Sequence, residues 1–83
     1  MNTLRIVKEI KTVFECPITY QELNYKMEDI FYKVLEIDIE ADSIKPEELV
    51  RLNKVLFDYD LKILEFGTNI YDCTLYIYII EKR

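Results

Sequence analysis

Acidic side chains at every second position form the most chemically suggestive pattern in this sequence. Glu36, Asp38 and Glu40 alternate with apolar residues, and Asp42 follows them. On an extended strand such side chains project from one face about 6.6–6.8 Å apart, which is roughly the spacing of phosphates along one nucleic-acid strand. Three interpretations are open: the solvated face of an edge strand, a surface that imitates nucleic acid toward a nucleic-acid-binding protein, and a cation site.

The cation interpretation meets a specific obstacle. Asp38, Glu40 and Asp42 have the spacing of the first ligands of a calcium-binding loop. That loop requires a glycine where this chain has Ser43, and a bidentate glutamate where it has Leu49. We therefore expect no metal site.

Other residue types with chemical potential are scarce. The chain has no histidine and one glycine, which removes the commonest general base and any phosphate-cradling loop. Cys16 and Cys73 are too few for a zinc site. We expect Cys73 to be buried on the core side of the last strand, and Cys16 to lie at a helix C-terminus, where the dipole disfavours a thiolate. The prediction is a protein without enzymatic activity, catalytic residues or cofactors.

Tyrosines provide a second class of candidate contact residue. Tyr25 and Tyr32 are seven residues apart on a predicted helix, near Glu28 and Asp29. They either lie along the surface with their hydroxyls in water or form a tyrosine–carboxylate contact patch, since tyrosine is enriched at interfaces.

Two further tyrosines belong to the last predicted strand. Alternation in Thr74–Ile80 places Leu75, Ile77 and Ile79 on one side, and Tyr76 and Tyr78 on the other. One side can face a core. Left uncovered, Tyr76, Tyr78 and Ile80 on the other side would form an exposed apolar patch. This side must therefore be covered by a helix of this chain, a second copy or a foreign partner.

The composition describes a small acidic domain. The chain has 83 residues, 51% of them hydrophobic, and a net charge of −5 whose acidic excess lies in residues 27–60. We expect one compact domain over residues 1–83. An acidic surface repels phosphate, which argues against direct binding of nucleic acid. No apolar run has the length of a membrane span or of a signal peptide, so we expect a cytoplasmic protein with reduced thiols and no membrane partner.

Periodicity and capping signals predict three helices and three strands. Leu4, Val7, Ile10 and Phe14 recur at helical spacing and indicate a helix over residues 4–15, with these side chains on its buried face. The helix ends at Cys16-Pro17. Thr19 and Glu22 have the spacing of a capping box, with Ile18 and Leu23 as its hydrophobic staple, and predict a second helix that carries Tyr25 and Tyr32. The remaining predicted elements are a strand at Leu35–Glu40, a helix with Pro46 in its first turn, and strands at Leu61–Phe66 and Cys73–Glu81.

The predicted fold is therefore α+β in the order α-α-β-α-β-β. Because a strand–helix–strand connection leaves its two strands parallel, and the last strand is the most apolar, we expect a three-stranded sheet. Its order is first, third, second, with the last strand central and antiparallel to both neighbours, and the helices pack on one face.

The function these features favour is a small acidic interaction module. We expect an inhibitor or adaptor of the kind encoded on phages and other mobile elements, which occludes a partner protein, with a nucleic-acid-binding protein as one candidate partner. The expected partner-binding residues are Tyr25, Tyr32, Glu36, Asp38, Glu40, Tyr76 and Tyr78. One alternative is a structural homodimer that associates through the tyrosine-bearing sheet face, a state we favour slightly over the monomer. The least favoured alternative is a small enzyme with carboxylate and tyrosine acid–base groups.

Overall fold

Within residues 1–82, the structure has four antiparallel strands and two helices. The computed structural model describes residues 1–82, and the elements are α1 (Thr3–Val13), β1 (Ile18–Met27), β2 (Ile30–Ile39), α2 (Pro46–Asp58), β3 (Leu61–Asn69) and β4 (Thr74–Glu81). The sheet order is β1-β2-β4-β3. β2 and β3 are parallel to each other because both pair antiparallel with β4, which lies between them.

This architecture corrects the predicted three-stranded sheet. The second predicted helix does not exist: the residues assigned to it form β1 and the first part of β2, an antiparallel hairpin that adds a fourth strand. Thr19 is consequently an exposed residue of an edge strand and caps no helix. Tyr25 and Tyr32, expected on one helix face, are direct cross-strand partners.

A two-residue turn closes this hairpin. Glu28 and Asp29 join β1 to β2, and both have positive φ, at 50° and 65°. Positive φ at both central positions defines a type I′ turn, whose twist matches that of the strands on either side. Neither residue is glycine, so both backbones occupy the left-handed region at a cost in free energy.

The core lies between the helices and one face of the sheet. α1 contributes Ile6, Val7, Ile10 and Val13, and α2 contributes Leu52 and Leu56. The sheet residues that face them are Leu35, Ile37, Ile39, Leu61, Leu75, Ile77 and Ile79, each at most 8% exposed. Both helices therefore cover the same face of the sheet.

The helix ends show why the helices have these limits. Phe14, after the last residue of α1, is extended and buried. At the start of α2, Pro46 occupies the first turn, and the Glu48 carboxylate accepts a hydrogen bond of 2.9 Å from the backbone N–H of Lys45. Leu4, expected on the buried face of α1, is 73% exposed.

The connection between β3 and β4 also differs from expectation. Gly67 and Asn69 belong to β3, which extends beyond the predicted Phe66. The turn that follows ends at Cys73, an exposed residue with φ of 54°, so the expectation of a buried Cys73 is wrong. Asn69 organises this turn, because its side-chain oxygen accepts a 3.0 Å hydrogen bond from the N–H of Tyr71.

No helix within residues 1–82 is long and apolar enough to cross a membrane. α1 and α2 have 11 and 13 residues, whereas a helical span needs roughly 20. Each helix instead has one buried and one exposed side, as expected for a helix that packs on a sheet.

Candidate functional site

The face of the sheet opposite the helices carries most of the polar side chains that sequence reasoning singled out. Residues opposite each other in an antiparallel pair point to the same side. Glu36 pairs with Tyr78 and Asp38 with Tyr76 across β2 and β4, and Gln21 pairs with Glu36 across β1 and β2. We call this side the open face, because neither helix covers it.

One half of the open face is a groove of about 860 Å³. β2 provides Glu36 and Asp38, Glu40 follows directly after β2, and these three residues form an acidic row in the groove. β4 provides Tyr76 and Tyr78. The full set of lining residues is Thr19, Gln21, Glu36, Asp38, Glu40, Thr68, Asn69, Ile70, Tyr71, Asp72, Thr74, Tyr76 and Tyr78. Among these described residues there is no lysine or arginine, so the groove is an acidic and aromatic site.

In the other half of the open face, side chains from β1, β3 and β4 contact one another. The Tyr25 hydroxyl on β1 donates a 3.0 Å hydrogen bond to Glu65 on β3, although two strands lie between them. The Tyr25 ring meets the Tyr78 ring edge-on, with centroids 5.7 Å apart, and the Tyr76 and Tyr78 centroids are 5.0 Å apart. We refer to Tyr25, Tyr76, Tyr78 and Glu65 as the tyrosine cluster.

Two apolar residues on the open face are buried although neither α1 nor α2 covers that face. Val34 is 0% exposed and Ile80 is 6% exposed, although neither belongs to the main core. Tyr76 and Tyr78 are only half-buried. Ile80 was expected to form an exposed apolar patch with these two tyrosines. Because Ile80 is buried within the chain, that patch is smaller than the sequence indicated.

Gly67 allows Tyr76 to lie flat at the border between cluster and groove. The two residues are direct partners across β3 and β4. A Cβ atom on Gly67 would lie 2.7 Å from the Tyr76 hydroxyl oxygen, closer than real Cβ contacts. The φ of Gly67 is not positive, so the glycine is explained by this close approach and by the cover that an aromatic partner gives it.

Proximity of negative groups perturbs the groove electrostatically. Partial burial, followed by the hydrogen bond and charge of the neighbouring Glu36, raises the pKa of Asp38 to about 6, and the charge of Asp72 contributes. Burial and the Glu36 carboxylate likewise raise the pKa of Tyr78. Gln21 donates a 2.7 Å hydrogen bond to Glu36 and is the neutral donor in this set. No cationic side chain among the described lining residues of the groove neutralises this negative charge.

The structure brings most of the predicted contact residues together. Glu36, Asp38, Glu40, Tyr76 and Tyr78 line the groove, while Tyr25 belongs to the adjoining tyrosine cluster. Tyr32 is half-buried on the open face opposite Tyr25.

Sequence reasoning missed Gln21, Glu65 and Asp72. Gln21 had been assigned to a helix, so its place on the sheet was not predicted. A register shift between Ile63 and Glu65 changes which residue of β4 lies opposite Glu65. Asp72 reaches the groove through the turn between β3 and β4. No local residue pattern indicates that any of the three contributes to the open face.

Metal binding finds no support in the described part of the chain. Within residues 1–82, no group of three or more cysteine, aspartate or glutamate side chains has the geometry to hold a metal ion. The acidic row has its side chains at strand spacing along one direction, whereas a cation site needs oxygen ligands that converge on one point.

Comparison of this chain with protein-family models, with curated proteins and with solved structures finds no match.

Proposed function

We propose that this protein is a binding module for a protein partner with a basic surface, and that the groove on the open face holds the contact. The observation that carries the proposal is the groove's charge: four carboxylates, those of Glu36, Asp38, Glu40 and Asp72, share a space of about 860 Å³ whose described lining includes no cation. A partner that brings lysine or arginine relieves this repulsion and gains electrostatic complementarity.

The aromatic side of the groove favours arginine over other cations. Tyr76 and Tyr78 present ring surface next to the carboxylates of Glu36 and Asp38. A guanidinium group can stack on a tyrosine ring while it donates paired hydrogen bonds to a carboxylate. A lysine ammonium can also lie over a tyrosine ring, but it cannot stack as a plane or donate the paired hydrogen bonds to the carboxylate.

The spacing of the acidic row supports one class of basic partner. Glu36 and Asp38 alternate on β2, and Glu40 follows directly after the strand ends at Ile39. The side chains of Glu36 and Asp38 are therefore about 6.6–6.8 Å apart along the strand, and Glu40 continues the row. A nucleic-acid-binding protein has a basic groove arranged for charges at a similar interval. Occupying that groove would exclude nucleic acid, and the chain would act as an inhibitor by occlusion.

The direct test removes the charge of the row while keeping its shape. The variant Glu36→Gln, Asp38→Asn, Glu40→Gln should lose a partner captured from the native host by the wild-type protein. The control Glu15→Gln, Glu47→Gln, Asp58→Asn makes the same change in net charge outside the residues that line the groove, and should keep it. Capture followed by mass spectrometry identifies the partner, and circular dichroism verifies the fold of both variants.

Salt dependence and competition complete this test. For the identified partner, affinity should fall as salt rises, since screening weakens charge pairs that are open to solvent. If that partner binds nucleic acid, added DNA or RNA should displace this protein from it. Equal capture by the groove variant and the control variant would contradict the proposal, and so would an affinity that is independent of salt.

A further inference from the structure

β1 is an edge strand of the sheet, and its pairing with β2 is regular. Its pairing with β2 runs without interruption from Ile18 to Met27. The opposite edge, β3, has a register shift between Ile63 and Glu65, and an irregularity of this kind disfavours pairing with another strand. Of the two edges, β1 is therefore the one suited to accept a further strand.

The turn geometry shows which backbone groups of β1 face outward. In a two-residue turn, the residues on either side form a hydrogen-bonded pair, here Met27 and Ile30. Hydrogen-bonded and non-hydrogen-bonded pairs then alternate along an antiparallel hairpin. The backbone N–H and C=O of Glu22, Asn24 and Lys26 consequently point away from β2, toward the free edge.

We propose that β1 pairs antiparallel with β1 of a second copy, about a two-fold axis at Asn24, so that the two sheets become one. Glu22 then lies opposite Lys26 of the second copy, and Lys26 opposite its Glu22. Opposite charges at directly opposed positions stabilise an antiparallel pair. Leu23 lies opposite Tyr25 of the second copy in a non-hydrogen-bonded pair, where side chains approach most closely.

Charge complementarity selects this register over its neighbours. An axis at Glu22 would place Glu22 opposite Glu22 of the second copy, and an axis at Lys26 would likewise place two lysines opposite each other. An axis at Tyr25 would place Glu22 opposite Glu28 of the second copy. An axis at Leu23 forms no ion pair. Among registers centred between Leu23 and Lys26, only the axis at Asn24 opposes unlike charges twice and like charges nowhere.

Exposed side chains beside this edge are consistent with a symmetrical partner. Glu22 accepts a hydrogen bond from the Thr3 hydroxyl, which places the first turn of α1 over β1. Leu4 in that turn is 73% exposed. Pairing about the Asn24 axis brings the first helices of both copies to the same side of the joined sheet, where Leu4 can lose contact with water.

A charge swap tests the register. The wild-type protein should have twice its 10.1 kDa mass in sedimentation or light scattering at high micromolar concentration. Glu22→Lys alone and Lys26→Glu alone should each weaken the dimer roughly tenfold or more, because each creates two like-charge pairs. The double variant Glu22→Lys, Lys26→Glu should restore the dimer, since the opposite charges are re-formed with exchanged positions.

Asn24→Pro supplies the backbone control. Its outward N–H is not needed for pairing with β2, and proline is tolerated on an edge strand where the N–H faces solvent. The variant should fold but remain monomeric. A wild-type monomer at every concentration would overturn the proposal. So would a dimer that tolerates Asn24→Pro, or one that the double charge swap fails to restore while circular dichroism shows a folded chain.

Discussion

Asp38 is the residue at which the chemistry of the groove can be measured directly. Its carboxyl is half-buried beside Glu36, which raises its pKa to about 6. The native state thus holds the Asp38 proton more tightly than the unfolded chain, where the pKa is close to the model-peptide value of about 3.9. Between these two pKa values stability falls as pH rises, and the penalty stays in place at higher pH.

Asp38→Asn should therefore stabilise the protein at pH 7 by about 1 kcal/mol after allowance for solvent screening. The gain should shrink as pH falls below about 6 and disappear at about pH 3, below both pKa values, where the wild-type carboxyl is protonated in both states. Urea denaturation across this range measures the difference in the free energy of unfolding. Asp42→Asn, at an exposed aspartate of the same acidic segment, is the control for the loss of one negative charge. A gain of equal size at pH 4 and pH 7 would contradict the electrostatic explanation.

Residue exposure was predictable wherever periodicity and packing agree. Ile77 and Ile79 on β4 are buried as alternation predicts. The predicted burial of Leu4 and Cys73 is wrong because each lies at the end of an apolar pattern. Leu4 is in the first turn of α1, and Cys73 is in a turn one residue before β4. At element ends the pattern continues in the sequence after the packed surface has stopped.

At the scale of elements, the β1–β2 hairpin shows how one segment can fit two periods. Thr19 and Glu22 have capping-box spacing, and Leu23, Met27, Ile30 and Val34 have helical spacing. The same stretch is rich in tyrosine, isoleucine and phenylalanine, which favour strands. Pairing with β4, which lies far along the chain, stabilises β2 and thereby the strand conformation, and no local pattern contains that information.

The turn of this hairpin offers a test at the same scale. Glu28 and Asp29 both have positive φ, where Asn-Gly is the preferred pair for a type I′ turn. Glu28→Asn together with Asp29→Gly should stabilise the protein by about 1 kcal/mol, because the left-handed conformation costs these residues less. Chemical denaturation measures the change.

Asp29→Ala is the matched control for that substitution. Alanine has neither the backbone freedom of glycine nor the local hydrogen bonding of asparagine in the left-handed region, so this variant should lose stability. Loss of stability in the Asn-Gly variant would mean that the turn has a different conformation, and with it that β1 and β2 pair in a different register.

For the molecule as a whole, the topology links the core to the open face. α2 connects β2 to β3, and β4 inserts between them, so β4 contributes to both sides of the sheet. The pairing of β4 with β2 and β3 agrees with what its apolar content predicted. The presence of β1 beyond β2 was not predictable once its sequence had been assigned to a helix, and β1 contributes Thr19, Gln21 and Tyr25 to the candidate site.

The same substitution at two isoleucines of β4 compares the two faces of the sheet. Ile77 is 1% exposed and packs in the helix-covered core, whereas Ile80 is 6% exposed on the open face. Ile77→Ala should cost roughly 2–5 kcal/mol, since it leaves a cavity in a close-packed interior. Ile80→Ala should cost less, because the tyrosine cluster and solvent can adjust around the lost volume. Ile30→Ala, at a residue 52% exposed, should be nearly neutral. If Ile80→Ala lowers the free energy of unfolding more than Ile77→Ala does, the open face must hold the principal core. A groove beside that core would be too rigidly packed to adapt to a partner.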